Sequence, residues 1–276
     1  MAMKCERIYL YEERKDVYLD TYIRETSVEY PTNKRPGILI FPGGGYGMCS
    51  DREAEPIANQ YLALGFNCFI LRYSVGEHAS ERMPDFSQPL LEASLAMSII
   101  RKNAEEWNVE EDKIAIIGFS AGGHLAGSLA TMWNDEAIFE ELNIPPQSNK
   151  PNAAILCYPV LTFGELTHGG TRDNLLGEYK NDEEYIRKYS LENNVSKDTP
   201  PTFIMHTAED GAVPVKNSLV FASALAENEI PFELHIFPFG GHGMSTGTAE
   251  VCHTPNEYAG RWVGLSNKWL RTTFEF

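Results

Sequence analysis

The sequence predicts an α/β fold, with about eight strands in a mostly parallel sheet and helices on both of its faces. Short continuous apolar runs rich in β-branched residues, such as residues 37–41 and 113–117, carry the mark of strands covered on both sides. These runs alternate with longer helical patterns along most of the chain, the rhythm of βαβ units. At 276 residues the chain is within the size that α/β folds reach as one unit, so 1–276 is expected to be a single domain.

Taken in order, residues 7–11 and 17–23 are aromatic and β-branched around a charged turn at Arg14, Lys15 and Asp16, which reads as an antiparallel hairpin at a sheet edge. Beyond Pro31, Asn33 and Pro36, the apolar strand 37–41 runs into Pro42-Gly43-Gly44-Gly45-Tyr46-Gly47. A helix over about 54–64, a strand at 66–71 and a long helix near 89–107 follow, the last with apolar positions at Leu91, Leu95, Met97, Ile99 and Ile100. The strand 113–117 opens through Gly118-Phe119-Ser120-Ala121-Gly122-Gly123-His124 onto an alanine-rich helix. Strands at 153–158, 202–206 and 232–237, a helix near 215–228 and a final helix around 261–273 complete the pattern. One interval breaks the rhythm: after the sixth strand, residues 160–198 form a polar, partly helical insertion, clearest at 174–177 and 182–186. Connections this long tend to be lids or binding loops, or else surface decoration.

The formal charge of −16 disfavours nucleic acid and anionic membrane surfaces as partners. Five cysteines, odd in number and without CxxC spacing, suggest neither a disulfide framework nor a zinc site, and fit reduced thiols in a cytoplasmic setting. Residues 1–14 are charged throughout and no apolar run approaches 18 residues, so no export signal or membrane span is expected. No cofactor and no metal is expected. Self-association into a homo-oligomer is left open.

Ligands gather at the carboxyl ends of parallel strands, so reactive groups are sought just after each strand. Ser120 follows one, in a G-x-S-x-G turn between strand and helix, the setting of a nucleophile elbow. A serine hydroxyl needs a base, commonly a histidine oriented by a carboxylate. His242 follows the strand 232–237 and Asp210 follows 202–206, giving the chain order Ser, Asp, His. Glu209 is the alternative orienting acid. The Ala121 amide and an amide of the Gly43-Gly44-Gly45 loop are the expected oxyanion donors. His124 and His206 are read as packing residues, Cys49 as an inert thiol, and His78, His168, His235 and His253 show no metal spacing. Tyr46, Phe163, Tyr179 and Tyr185 are candidates for a sugar-stacking wall, with lid packing as the alternative.

Phe41-Pro42-Gly43-Gly44-Gly45-Tyr46, Glu53-Ala54-Glu55-Pro56-Ile57-Ala58, Leu71-Arg72-Tyr73-Ser74, the Ser120 elbow and the Asp210 and His242 loops resemble the small bacterial α/β-hydrolase esterases related to acetyl xylan esterases. The resemblance implies an α/β-hydrolase fold, with Ser120 as nucleophile, His242 as base, Asp210 as its orienter, and Ala121 with Gly44 and Gly45 as the oxyanion hole. Pro42 stands where lipase-type relatives carry the histidine of His-Gly-Gly-Gly, which places the chain on the carbohydrate-esterase side. The expected function is hydrolysis of a short-chain carboxylic ester, such as an acetyl group on a sugar or small oligosaccharide, through an acyl-serine. The substrate pocket is expected to include Tyr46 and Phe163. Two alternatives stand beside it, a serine exopeptidase of prolyl-oligopeptidase type and a non-catalytic binding module on a hydrolase fold.

Overall fold

The hairpin forms first along the chain: β1 (Met3–Tyr9) pairs antiparallel with β2 (Tyr18–Arg24), Met3 opposite Arg24 and Tyr9 opposite Tyr18. The computed structural model describes residues 3–276. Beyond the hairpin, β3 (Arg35–Phe41), α1 (Glu55–Ala63), β4 (Asn67–Arg72), α2 (Gln88–Lys102), β5 (Val109–Phe119) and α3 (Ala121–Met132) build the first half. The second half has α4 (Glu136–Leu142), β6 (Ala153–Cys157), α5 (Gly169–Leu176), α6 (Glu183–Lys188), β7 (Thr202–Thr207), α7 (Lys216–Glu227), β8 (Phe232–Phe237), α8 (Glu257–Gly260) and α9 (Trp262–Phe274).

Eight strands lie in the order β1-β2-β4-β3-β5-β6-β7-β8, antiparallel as far as β4 and parallel from there to β8. Alternate residues of each central strand face opposite layers. Leu39, Phe41, Ile114, Ile116 and Leu156 pack under α2, α3 and α7, while Ile38, Ile40, Ala115, Ile117 and Ile155 pack under α1 and α9. Continuous apolar runs are therefore what these strands require. The connection from β4 crosses over β3 to reach β5, so chain direction across the sheet reverses there. The loops after β3 and β5 consequently open a crevice at the carboxyl edge, where a ligand fits.

Beyond shifted bounds at the first strand (Met3–Tyr9) and the fifth (Val109–Phe119), two helices differ from the sequence-based expectation. The second helix ends at Lys102 rather than near Trp107, because Asn103 turns back to donate to the Ile99 carbonyl at 2.8 Å and Trp107 folds in to stack on Phe69, centroids 5.5 Å apart. The unanticipated α4 spans seven residues, is capped by Asp135 accepting from the Ala137 amide at 3.0 Å, and fully buries only Ile138, too little to show a period.

The insertion is packed rather than loose. Leu161, Phe163, Leu175, Leu176, Tyr189 and Leu191 are completely buried in the same core layer as α3. That layer explains why α3 is buried all round: the sheet covers one side and the insertion the other. No helix among the described residues is long and apolar enough to cross a membrane.

Candidate active site

Ser120 is held on a strained turn. Its φ of 54° and ψ of −115° are unfavourable for a side chain with a Cβ. The turn is fixed on both sides: the Ser120 amide donates to the Cys157 carbonyl at 3.0 Å, and its own carbonyl accepts from the His124 and Val160 amides, both at 3.1 Å. Glycine is obligatory beside it, since a Cβ on Gly118 would sit 2.0 Å from the Gly122 carbonyl oxygen and one on Gly122 would sit 2.1 Å from that of Phe41. Strand and helix therefore close tightly, and the serine hydroxyl is left at the edge of the crevice.

Three expected residues meet there. His242 Nε2 lies 2.8 Å from Ser120 Oγ, and His242 Nδ1 lies 2.7 Å from Asp210 Oδ2. With Nδ1–H donating to the carboxylate, Nε2 is left free to accept the serine proton. The Asp210 side chain is fully buried, and its Oδ1 accepts the Ala212 and Val213 amides at 2.9 and 2.8 Å. Burial works to raise this carboxyl, but hydrogen bonds from His206, His242 and the Val213 amide overcome it and hold the group below the usual carboxylate range. His206 approaches Oδ2 to 3.3 Å and is fixed by Ser218 Oγ at 2.8 Å and the Val213 carbonyl at 3.0 Å, so it braces the acid. Glu209, by contrast, is exposed and accepts the Gly240 amide at 3.2 Å, away from the imidazole.

The glycine loop lies opposite the elbow. Gly44 has a φ of +128°, and a Cβ there would meet the Met48 carbonyl oxygen at 2.2 Å. The Gly43 amide is committed to Glu53 Oε2 at 2.9 Å. The amides of Gly44, Gly45 and Ala121 have no acceptor among the described residues, which leaves them available to an oxyanion. Asn174, from the insertion, donates to the Gly45 carbonyl at 2.8 Å and pins the loop from outside.

A cleft of about 480 Å³ joins these groups, lined by Gly44, Gly45, Ser120, His168 and His242, among others. Tyr46 and Phe163, expected on its wall, lie elsewhere. Tyr46 is 1% exposed, with its hydroxyl on His124 Nδ1 at 3.0 Å, and Phe163 is fully buried, stacked on the His124 ring at 4.4 Å. Both rings close the core between α3 and the insertion, so neither reaches a substrate. His124 itself is buried and hydrogen-bonded on both nitrogens. Cys49 is outside the cleft lining, and burial pushes its thiol up to about 11.

Other residues were not anticipated. Glu53, 3% exposed, also accepts the Tyr158 hydroxyl at 2.7 Å, and that hydroxyl accepts the Ser245 amide at 2.9 Å. The Tyr158 ring lies edge-on to His242, centroids 5.2 Å apart. One buried carboxyl thus ties the glycine loop to the histidine loop. His168, from the insertion, faces the cleft with Nδ1 held by Thr171 Oγ1 at 2.9 Å, and burial together with nearby His242 lowers its imidazole. Glu53 ends the short 3-10 turn before α1 and His168 stands alone in the insertion, and neither has a local pattern that tells its role. Among the described residues no cluster of three or more His, Cys, Asp or Glu side chains could hold a metal.

Residues 19–225 match the protein family BD-FAE. The chain is 43% identical over 220 residues to endo-1,4-beta-xylanase B of Butyrivibrio fibrisolvens, covering 79% of this chain and 34% of that protein. It is 34% identical over 219 residues to an acetylxylan esterase of Xylanibacter ruminicola, covering 76% of this chain and 41% of the relative. It thus spans less than half the length of either relative. Among solved structures, the acetyl ester-xyloside bifunctional hydrolase of Caldicellulosiruptor lactoaceticus superposes with a TM-score of 0.82 at 34% identity, covering 97% of this chain and 96% of that one.

Proposed function

The chain belongs to the BD-FAE family of α/β-hydrolases, and we propose that it is a serine hydrolase of short-chain carboxylic esters, acting on acetyl groups carried by sugars or small oligosaccharides. The observation that carries this reading is the continuous relay from Asp210 through His242 to Ser120, with links of 2.7 and 2.8 Å beside three uncommitted backbone amides. The sugar ester is favoured by the relatives named for acetylxylan and acetyl ester-xyloside hydrolysis.

In the proposed reaction Ser120 Oγ forms a bond to the ester carbonyl carbon while its proton passes to His242 Nε2. The resulting oxyanion is held by the amides of Ala121, Gly44 and Gly45. The bond to the alcohol oxygen then breaks, and His242 returns the proton to that oxygen, releasing the sugar hydroxyl. Water, deprotonated by His242, attacks the acyl-serine carbonyl carbon, the bond to Ser120 Oγ breaks, His242 returns the proton to Oγ, and the acid leaves and ionises in water. Asp210 keeps the imidazole in the required tautomer and stabilises its cation. Residues 160–198 serve as a fixed cover that supplies His168 to the cleft wall and Asn174 to the oxyanion loop. The five unpaired cysteines favour a reducing, cytoplasmic setting.

Turnover of p-nitrophenyl acetate by purified protein, abolished in Ser120→Ala with the fold retained by circular dichroism, is the expected result. Undiminished turnover in that variant would remove Ser120 as nucleophile. Dipeptide amides cleaved faster than acetyl esters would favour the exopeptidase, and a folded protein that resists a fluorophosphonate probe would favour the binding module.

A further inference from the structure

A second cavity, of about 460 Å³, opens beyond His242 and shares Arg52, His242 and Gly243 with the cleft that holds Ser120. The two cavities adjoin at these residues. In serine-ester chemistry the imidazolium must hand its proton to the departing alkoxide, so the alcohol half of the ester lies on the histidine side of the serine. The second cavity is lined by His242 and not by Ser120.

Its walls have a definite chemistry. Phe239 is 64% exposed, more than any other described aromatic side chain among the exposed large hydrophobics, and it sits three positions before His242. The ring therefore offers an uncovered apolar face in the wall of a cavity that His242 also lines. The loop is tied at three points: the Phe239 carbonyl accepts Asn256 Nδ2 at 2.9 Å, the Gly240 carbonyl accepts Thr207 Oγ1 at 2.7 Å, and the Gly240 amide donates to Glu209 at 3.2 Å. Polar groups share the cavity lining with the ring. Arg52, whose Nη1 donates to the Val251 carbonyl at 3.5 Å, lines both cavities, and exposed His253 and Thr254 are also in the wall. A ring face with an electron-rich surface attracts the polarised C–H face of a pyranose, while hydrogen-bonding groups at its edge meet the hydroxyls. A long alkyl alcohol would require an enclosed apolar channel, whereas this cavity is open and has Arg52, His253, Thr254 and Asn256 in its lining.

We propose that this cavity is the subsite for the sugar leaving group, with Phe239 as its stacking platform; the proposal rests on the acyl-serine reading above. The Phe239 side chain projects away from the buried core, so replacing it tests recognition rather than folding. The measurement is kcat/KM for a mono-O-acetylated xylobiose and for ethyl acetate, whose alcohol is too small to reach the ring. In Phe239→Ala the ratio of the two should fall about five- to tenfold, mainly through KM for the sugar ester, and Phe239→Trp should restore it. Unacetylated xylobiose should inhibit ethyl acetate hydrolysis competitively, with an inhibition constant raised by a similar factor in the alanine variant. An unchanged ratio in Phe239→Ala, or a wild-type protein that turns over ethyl acetate but not the sugar ester, would overturn the subsite while leaving the acyl-serine reading intact. A wild-type protein that hydrolyses neither ester and resists the fluorophosphonate probe would overturn both.

Discussion

Replacing Glu53 tests whether one buried carboxyl holds the two sides of the cleft together. Its Oε2 accepts the Gly43 amide at 2.9 Å and its Oε1 accepts the Tyr158 hydroxyl at 2.7 Å, and burial raises its carboxyl above the ordinary glutamate value. Glu53→Ala leaves both donors buried without an acceptor. Each orphaned donor costs about 1–3 kcal/mol, so folding stability should fall by about 2–6 kcal/mol. Glu53→Gln keeps the volume but turns an amide N–H₂ toward one donor, which should cost about 1–3 kcal/mol and leave the protein folded. The Gly43 peptide leads directly into Gly44, so a displaced loop forfeits an oxyanion donor. That loss is worth about 2.7–4 kcal/mol of transition-state stabilisation, about 10²–10³ in kcat. Urea unfolding and steady-state kinetics on p-nitrophenyl acetate would be measured for Glu53→Gln, Tyr158→Phe and the double variant. The expected outcome is a lowered kcat with KM little changed, and a coupling of about 0.5–3 kcal/mol between the two positions. A Glu53→Gln protein with wild-type kcat, or strictly additive stability losses, would refute the bridging role.

Three further outcomes follow from the same geometry. On the proposed mechanism Asp210→Asn presents an N–H₂ to His242 or forces the other tautomer, so kcat should drop by about 10⁴, with labelling of Ser120 slowed in parallel. Gly44→Ala places a Cβ 2.2 Å from the Met48 carbonyl oxygen at a φ of +128°, so a loss of about 1–3 kcal/mol in stability and a fall in kcat are expected, and a fully active variant would disprove a fixed loop. His124 is fully buried and burial lowers its imidazole from 6.5 to about 4. The unfolded chain then binds more protons than the native one between those values, so stability is complete above about pH 6.5 and falls as pH drops toward 4, by about 3 kcal/mol. Glu53 and Glu92 are raised by burial and act in the opposite sense, so the comparison must be wild type against His124→Asn; equal slopes in the two would count against the assignment.

Much of the candidate site was legible because its signals are local. An apolar β-branched run followed by a tight glycine turn specifies a strand end wherever it occurs, and a parallel sheet collects strand ends along one edge. Ser120, Asp210 and His242 could therefore be assigned from their places after three strands, although the serine and the histidine are 122 positions apart. Gly44 and Gly45 were legible for the same reason, being demanded by backbone conformation.

The walls were not legible in that way. Tyr46 stands in the glycine loop and Phe163 in the insertion, positions where an aromatic can face a ligand or the core, and only the packing of the insertion against α3 turned both inward onto His124. Glu53 and Tyr158 are 105 positions apart, and nothing in the neighbourhood of either announces the other. The sequence by itself determined the fold class, the strand ends and the residues placed there, because periodicity and turn chemistry act over a few residues. Which side chains line the cleft, which brace it and which seal the core was decided only by the tertiary structure, because burial depends on contacts between segments distant along the chain.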